Sequence, residues 1–287
     1  MPPERTAATG PPGPNGTSGP NGPTGPTGER DLLDSSARAG ALRRLHVPGT
    51  PLVLPNVWDV PSARAVVAAG YPAVATSSEA VAGTLGYADG QKAPVGEMFA
   101  AAARIARAVD VPLTVDAEGG YGLAPLELVD RLLATGAVGC NLEDTDSDSG
   151  RLRNPSAQAE FLSAVRAAAR AAGVPLVINA RIDVYLKPEP EASDDALLEQ
   201  AVRRALQYAA AGAECVYPIL LHDQARAAEF CRAVHPLPVN LLGSCAPSPG
   251  RIALPVAAQA GAARVSFGPD LWAATLRALA ALIPPIH

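Results

Sequence analysis

Aromatic residues make up only 4% of this 287-residue chain, while apolar residues of all kinds make up 48%. A core that poor in rings and rich in alanine calls for tightly packed helices with small side chains at their contacts. Long hydrophobic runs are missing too: no stretch reaches the 18 or so uninterrupted apolar residues of a membrane-crossing helix. Basic clusters are equally scarce. The formal charge is −5, with no Lys/Arg stripe, which argues against a nucleic-acid or anionic-membrane partner. The N-terminal stretch lacks the apolar segment of a secretory signal, so a cytoplasmic location is expected. The four cysteines, Cys140, Cys215, Cys231 and Cys245, match no zinc-binding spacing and are expected to be reduced thiols.

Glycine recurs at every third position from Gly10 to Gly28 in a proline-rich segment. That triplet pattern is collagen-like, yet it is short. Residues 1–30 are therefore read as a disordered tail, with a small trimerising triple helix as the alternative. The rest, residues 31–287, is read as one domain that opens on a helix over 31–45.

From there one unit repeats: a short apolar run, a polar or acidic tip, and an Ala/Leu-rich helical stretch. Eight runs are found, at 51–55, 73–77, 113–118, 139–143, 176–181, 214–218, 239–243 and 264–268. Helices are expected at 59–69, 95–108, 125–135, 156–172, 195–211, 223–234, 249–260 and 270–283. Strands alternating with helices imply parallel pairing, and continuous apolar runs imply strands buried on both faces. Eight repeats fit a closed (β/α)₈ TIM barrel better than an open sheet. Five of the helices are expected to close on a glycine, at Gly70, Gly136, Gly173, Gly212 and Gly261.

Active groups of such a barrel sit at the C-terminal ends of its strands. Read in order, those tips carry Asn56, Ser77 and Ser78, Asp116 and Glu118, Glu143 and Asp144, Arg181 and Asp183, Tyr217, Asn240 and Ser266. Strand alternation puts Asp116 and Glu118 on one face. Carboxylates crowded together persist most readily around a cation or by sharing a proton. Hard oxygens without His or Cys point to Mg²⁺, with Mn²⁺ also suitable. Structural ion pairing, with Arg181 or with helix N-termini, is the alternative.

Several segments together resemble the isocitrate lyase/phosphoenolpyruvate mutase superfamily. They are Leu113–Gly122 (LTVDAEGGYG), Asn141–Asp144 (NLED), Asn179–Asp183 (NARID), Asn56–Asp59, Ala75–Ser78, Leu85–Asp89 and Arg264–Gly268. The likeness runs from about residue 50 to 275. It implies a Mg²⁺-dependent barrel enzyme acting on a small carboxylate, through an enolate, by C–C or C–P chemistry. By the same resemblance, Asp116, Glu143 and Glu118 make up the metal site, with Asp89 also holding metal-bound water. Ser77, Ser78 and Glu79 would hold a substrate carboxylate, Asn240 would contact substrate, and Arg181 would bridge substrate oxygens.

The loop after the fourth strand, residues 144–154, departs from the pattern. It carries no cysteine, histidine or lysine, whereas lyases of that superfamily draw an acid/base cysteine from a Lys-Lys-Cys-Gly-His type motif there. Tyr121, Tyr217, His222, Asp144, Asp148 and Cys245 are the remaining acid/base candidates. Three readings follow. The first is a lyase or hydrolase that cleaves a C–C bond beside a 2-oxo or 2-hydroxy carboxylate. The second is a phosphonomutase or phosphonopyruvate hydrolase. The third is a non-catalytic metabolite-binding barrel. A homo-oligomer, dimer or tetramer, is expected.

Overall fold

A computed structural model describes residues 29–244 and 249–284, so the triplet tail and Cys245 lie outside the described residues. Helix α1 (Glu29–Arg44) comes first, then a barrel strand in two pieces, β1 (Leu52–Leu54) and β2 (Asn56–Val57). Next are α2 (Val60–Ala68), β3 (Val74–Thr76), α3 (Ser78–Leu85), α4 (Val95–Ala106), β4 (Leu113–Asp116), α5 (Pro125–Thr135), β5 (Gly139–Glu143) and α6 (Pro155–Ala171). The chain continues with β6 (Val177–Ile182), α7 (Asp194–Ala210), β7 (Cys215–Pro218), α8 (Gln224–Val234), β8 (Asn240–Ser244), β9 (Ile252–Ala253), α9 (Leu254–Gln259), β10 (Arg264–Ser266) and α10 (Asp270–Leu282).

The strands pair in parallel around a closed (β/α)₈ barrel. From β2 to β7 each pairs with the next, a bridge between Val216 and Val239 joins β7 to the start of β8, and β8 pairs with β10. Closure runs through the first strand, whose β1 half pairs with β10 while its β2 half pairs with β3. Pro55 lies between the halves. It has no N–H to give to a ladder, so the break falls there.

Helix α1 covers the N-terminal mouth of the barrel. Leu42 is fully buried, and a Cβ on Gly139 would meet its Cδ2 at 2.8 Å. Burying a leucine this completely contributes about 2–3 kcal/mol. Arg43 ties the helix down, with Nη2 donating to the Pro175 carbonyl at 2.8 Å and Nε to Glu214 at 2.6 Å. His46 is buried just after the helix. Burial and the nearby Arg264 charge lower its pKa to about 4, so it stays neutral.

All five expected closing glycines have positive φ. Gly136 shows the reason: at φ 87 its N–H reaches the Leu133 carbonyl and ends α5. Two segments differ from expectation. Residues 78–85 form helix α3, whose eight residues are too few for a periodic signal. The helix expected over 249–260 is shorter: 252–253 extends the sheet as β9 beside Gly243 and Ser244, and only 254–259 is helical. Among the described residues, no helix is long and apolar enough to cross a membrane. Cys140, Cys215 and Cys231 are buried free thiols. Burial raises the pKa of each to about 12, which keeps them protonated and inert.

Candidate active site

The strand tips surround a cavity of about 210 Å³ lined by Ser77, Ser78, Glu79, Asp89, Asp116 and Arg181, among others. That space suits a metabolite of a few heavy atoms and is smaller than typical drug-sized sites. Ser77, Ser78 and Glu79 enter it from the start of α3. Ser77 caps that helix, its Oγ accepting from the Ala80 N–H at 3.4 Å. Ser78 donates to Asp116 Oδ2 from both its backbone N–H (3.2 Å) and its Oγ (2.8 Å). The partial positive charge of the helix N-terminus thus already faces one carboxylate.

Asp116 is the centre of the site. Its Oδ2 is held by Ser78, while its Oδ1 is buried without a hydrogen-bond partner among the described residues. A buried carboxylate oxygen left bare is costly unless a cation or water meets it. The acids around it are all disturbed. Burial raises Glu118 to about 7, with Asp116 and Asp89 adding repulsion. Burial likewise raises Glu143 to about 8, against the opposing pull of Arg181. The Asp89 carboxyl is raised by burial and then by Asp116. These groups share one excess of negative charge that a divalent cation would relieve.

The structure corrects the alternation argument for Glu118. Strand β4 ends at Asp116, and Glu118 lies beyond it in the left-handed region at φ 47. Its carboxylate turns under the loop after α3 and accepts the Gln91 N–H at 2.6 Å. Gln91 and Tyr121 also have positive φ, at 61 and 55. Three non-glycine residues in this conformation cost on the order of 1 kcal/mol or more each, and such strain gathers where function fixes the backbone.

Glu143 and Asn240 do not line the cavity. Glu143 lies behind it and pairs with Arg181 Nη2 at 2.6 Å. Asn240 is buried and bonded to Ser266 at 3.1 Å, so its amide supports the wall of the cavity and does not reach into it. Arg181 itself is held by two acidic side chains. Its Nε and Nη2 also meet Asp183 at 2.6 and 3.0 Å, and these carboxylates outweigh burial to hold its pKa well above the usual value.

Among the described residues, no three His, Cys, Asp or Glu side chains converge closely enough to enclose an ion. A zinc or calcium cage is therefore a poor match. Mg²⁺ fits, because it keeps several waters and needs only one or two carboxylates directly. The bare Asp116 oxygen, ringed by proton-shifted acids, is such a donor set.

Asp144, an acid/base candidate from the sequence, does not line the cavity. It is fully buried and accepts from Arg204 (3.0 Å), Tyr208 (2.7 Å) and the Asp183 N–H (2.8 Å), which makes it the structural anchor of the rim. His222 is exposed, its ring bonded to the Leu220 carbonyl at 2.8 Å. Tyr217 is buried and does line the cavity. Burial raises its hydroxyl pKa, so it keeps its proton. A cavity residue that sequence reasoning missed is Arg251, which is paired with Asp270 at 2.9 Å. Arg251 falls inside the helix expected over 249–260, where it reads as a solvent-facing charge.

The family model for phosphoenolpyruvate phosphomutase matches residues 42–286. The chain belongs to the phosphoenolpyruvate mutase/isocitrate lyase superfamily. Within it, an uncharacterized protein of Mycobacterium tuberculosis is 35% identical over 237 residues, covering 82% of this chain and 84% of that protein. A Burkholderia cenocepacia structure carrying the provisional name phosphonomutase superposes with TM-score 0.79 at 40% identity, over 86% of this chain and 98% of the other. The 2-methylisocitrate lyase of Escherichia coli is 29% identical over 217 residues, covering 69% of this chain and 71% of the lyase.

Proposed function

We propose that the protein is a Mg²⁺-dependent lyase or hydrolase that breaks a carbon–carbon bond beside a 2-oxo or 2-hydroxy carboxylate, by way of an enolate. Mn²⁺ is expected to substitute. The observation that carries this reading is the bare, buried Oδ1 of Asp116 inside a small cavity that also holds a helix N-terminus and a guanidinium. Asp116 would hold the cation, with Glu118, Glu143 and Asp89 acting through water. A cation there supplies Lewis-acid stabilisation to an enolate oxygen.

The protein's own groups do the rest. The start of α3 attracts a substrate carboxylate. Arg181, locked by Asp183 and Glu143, offers a fixed direction for orienting an oxygen. Tyr217, protonated by burial, can return a proton from its Oη to the enolate carbon.

The test is turnover of a panel of 2-oxo and 2-hydroxy diacids, with product 2-oxo acid measured with Mg²⁺ and with EDTA. Absence of any metal-dependent product across the panel would overturn the reading. If metal binding survives that failure, a non-catalytic binding barrel is left. The similarity to the Burkholderia protein favours carbon–phosphorus chemistry as the second reading, and ³¹P NMR with phosphoenolpyruvate and phosphonopyruvate separates the two. We also infer a homo-oligomer. Helix α10 buries none of its residues in the chain, and Leu276, Leu279, Leu282 and Ile283 are 44–80% exposed along it.

A further inference from the structure

Asn141 lines the cavity, and in the register of the sheet it stands beside Asp116 on one side and Asn179 on the other. Barrels of this kind ordinarily fill their interior with layers of branched apolar side chains. At this level the layer is polar. Arg264, the first residue of β10, is 1% exposed, and its Nη2 donates to Asn141 Oδ1 at 3.1 Å. Its Nε and Nη1 are buried with no hydrogen-bond partner among the described residues. Asn179 is fully buried, and its Nδ2 donates to the same Asn141 Oδ1 at 2.9 Å.

A guanidinium held by one neutral amide is a costly way to fill a core, where an apolar side chain of like volume is often the more stable choice. Such a group calls for a reason beyond packing. The contacts supply one. A guanidinium has donors only, so the atom of Asn141 that faces it has to be the oxygen. Two donors use both lone pairs of that oxygen. The arm that Asn141 has left is its NH₂ group, which can donate but cannot ligate a cation. The buried charge of Arg264 polarises that arm through the amide and strengthens it as a donor.

We propose that Asn141 donates from Nδ2 to an anionic oxygen of the ligand beside Asp116, with Arg264 and Asn179 as the positioning residues that fix its amide. This rests on the reading of Asp116 as the cation end of a 2-oxo acid site. The donor is set in place before the ligand arrives, so it favours an oxygen that carries or develops negative charge over a neutral carbonyl.

The experiment measures binding, so it does not depend on turnover. The probe is oxalate, whose two coplanar carboxylates have the shape and charge of a chelated 2-oxo acid enolate. Calorimetry in Mg²⁺ gives its affinity, and Mn²⁺ titration without oxalate gives the affinity for metal alone. Asn141→Ala is expected to weaken oxalate by about tenfold or more, the loss of one hydrogen bond to a charged group, while Mn²⁺ stays within about threefold. Should that variant not fold, Asn141→Ser keeps an oxygen for Arg264 and is read the same way. Arg264→Met removes the buried charge. It is expected to hold or raise the melting temperature and still to weaken oxalate by about three- to tenfold, with Arg264→Lys restoring part of the affinity. Oxalate that does not bind the wild type, or binds Asn141→Ala unchanged, overturns the proposal. Equal losses of oxalate and Mn²⁺ affinity also overturn it, because they mark damage to the metal end. A lower melting temperature in Arg264→Met with oxalate affinity intact gives Arg264 a structural role and overturns its part. If oxalate binds the wild type as tightly in EDTA, the cation reading alone fails, and the same variants are compared without metal.

Discussion

Raising the pH from 6.5 to 8 in metal-free buffer is expected to destabilise the protein, and Mg²⁺ is expected to cancel the effect. Glu118 and Glu143 hold their protons in the folded state up to about pH 7 and 8, against an ordinary glutamate value of 4.5. Between those limits the folded chain binds more protons than the unfolded chain, so stability falls as pH rises. His46 acts with the opposite sign. Its folded pKa of about 4 lies below the ordinary 6.5, so its contribution grows from pH 4 and is complete by 6.5. The window above 6.5 therefore isolates the two acids. Titrating both through it removes about 2 kcal/mol, which lowers the melting temperature by about 5 °C in a domain of this size. A bound cation needs the carboxylates ionised, so the increment from saturating Mg²⁺ should be larger at pH 8 than at 6.5. Thermal melts with EDTA or Mg²⁺ at both pH values decide the matter. A melting temperature that is flat or rising across the window in EDTA, or a Mg²⁺ increment equal at both ends, refutes the assignment of the excess charge to one cation site.

Asp116→Asn is expected to lower metal affinity by at least tenfold, read by Mn²⁺ titration, while the fold survives by circular dichroism. Tyr217→Phe should reduce kcat by about 10²-fold or more with little change in KM, if its hydroxyl returns the proton; steady-state kinetics on the substrate found in the panel would show it. Asp144→Ala should cost about 3–5 kcal/mol in urea denaturation, since it leaves Arg204 buried at 5% exposure without its carboxylate. Leu279→Glu together with Leu282→Glu should shift the mass found by light scattering towards the monomer, leaving the melting temperature of the monomer nearly unchanged.

The alternation of apolar runs and helical stretches was enough to read the barrel, because parallel strands buried on both faces leave unmistakable apolar runs in the chain. Pocket residues at strand ends, Ser77, Asp116 and Arg181, were legible for the same reason. What escaped was local. Glu118 reads as the end of a strand, but its φ of 47 is set by the turn that follows and by the Gln91 N–H, which come from segments far apart in sequence. Glu143 reads as a free acid at a tip, yet its partner Arg181 sits directly beside it in the register of β5 and β6. Asn240 reads as a tip residue, but at the first position of β8 it turns to Ser266 inside the wall. Arg251 was invisible because α9 begins later than its alanine-rich neighbourhood suggests.

The loop after β5 bears most directly on mechanism. It is tied down along its length: Thr145 bridges Leu152, Asp146 Oδ1 accepts from Ser149 N and Oγ at 2.8 and 2.7 Å, and Arg153 reaches Gln158 (3.1 Å) and the Gly119 carbonyl (3.2 Å). Gln158 in turn donates to the Glu143 carbonyl at 3.0 Å. The loop therefore braces the acid cluster from behind. Its only fully buried acid, Asp144, is committed to Arg204, Tyr208 and the Asp183 N–H. On the proposed reading, a proton for the enolate would come from the cavity wall, where burial raises the pKa of the Tyr217 hydroxyl and keeps it protonated at neutral pH. On that reading, reactions that need a strong base to start would be disfavoured, because burial and neighbouring acids raise the pKa values of Asp89, Glu118 and Glu143. A cation held by Asp116 would draw those protons off together, so on the proposed reading metal loading and the appearance of basic carboxylates would be one event.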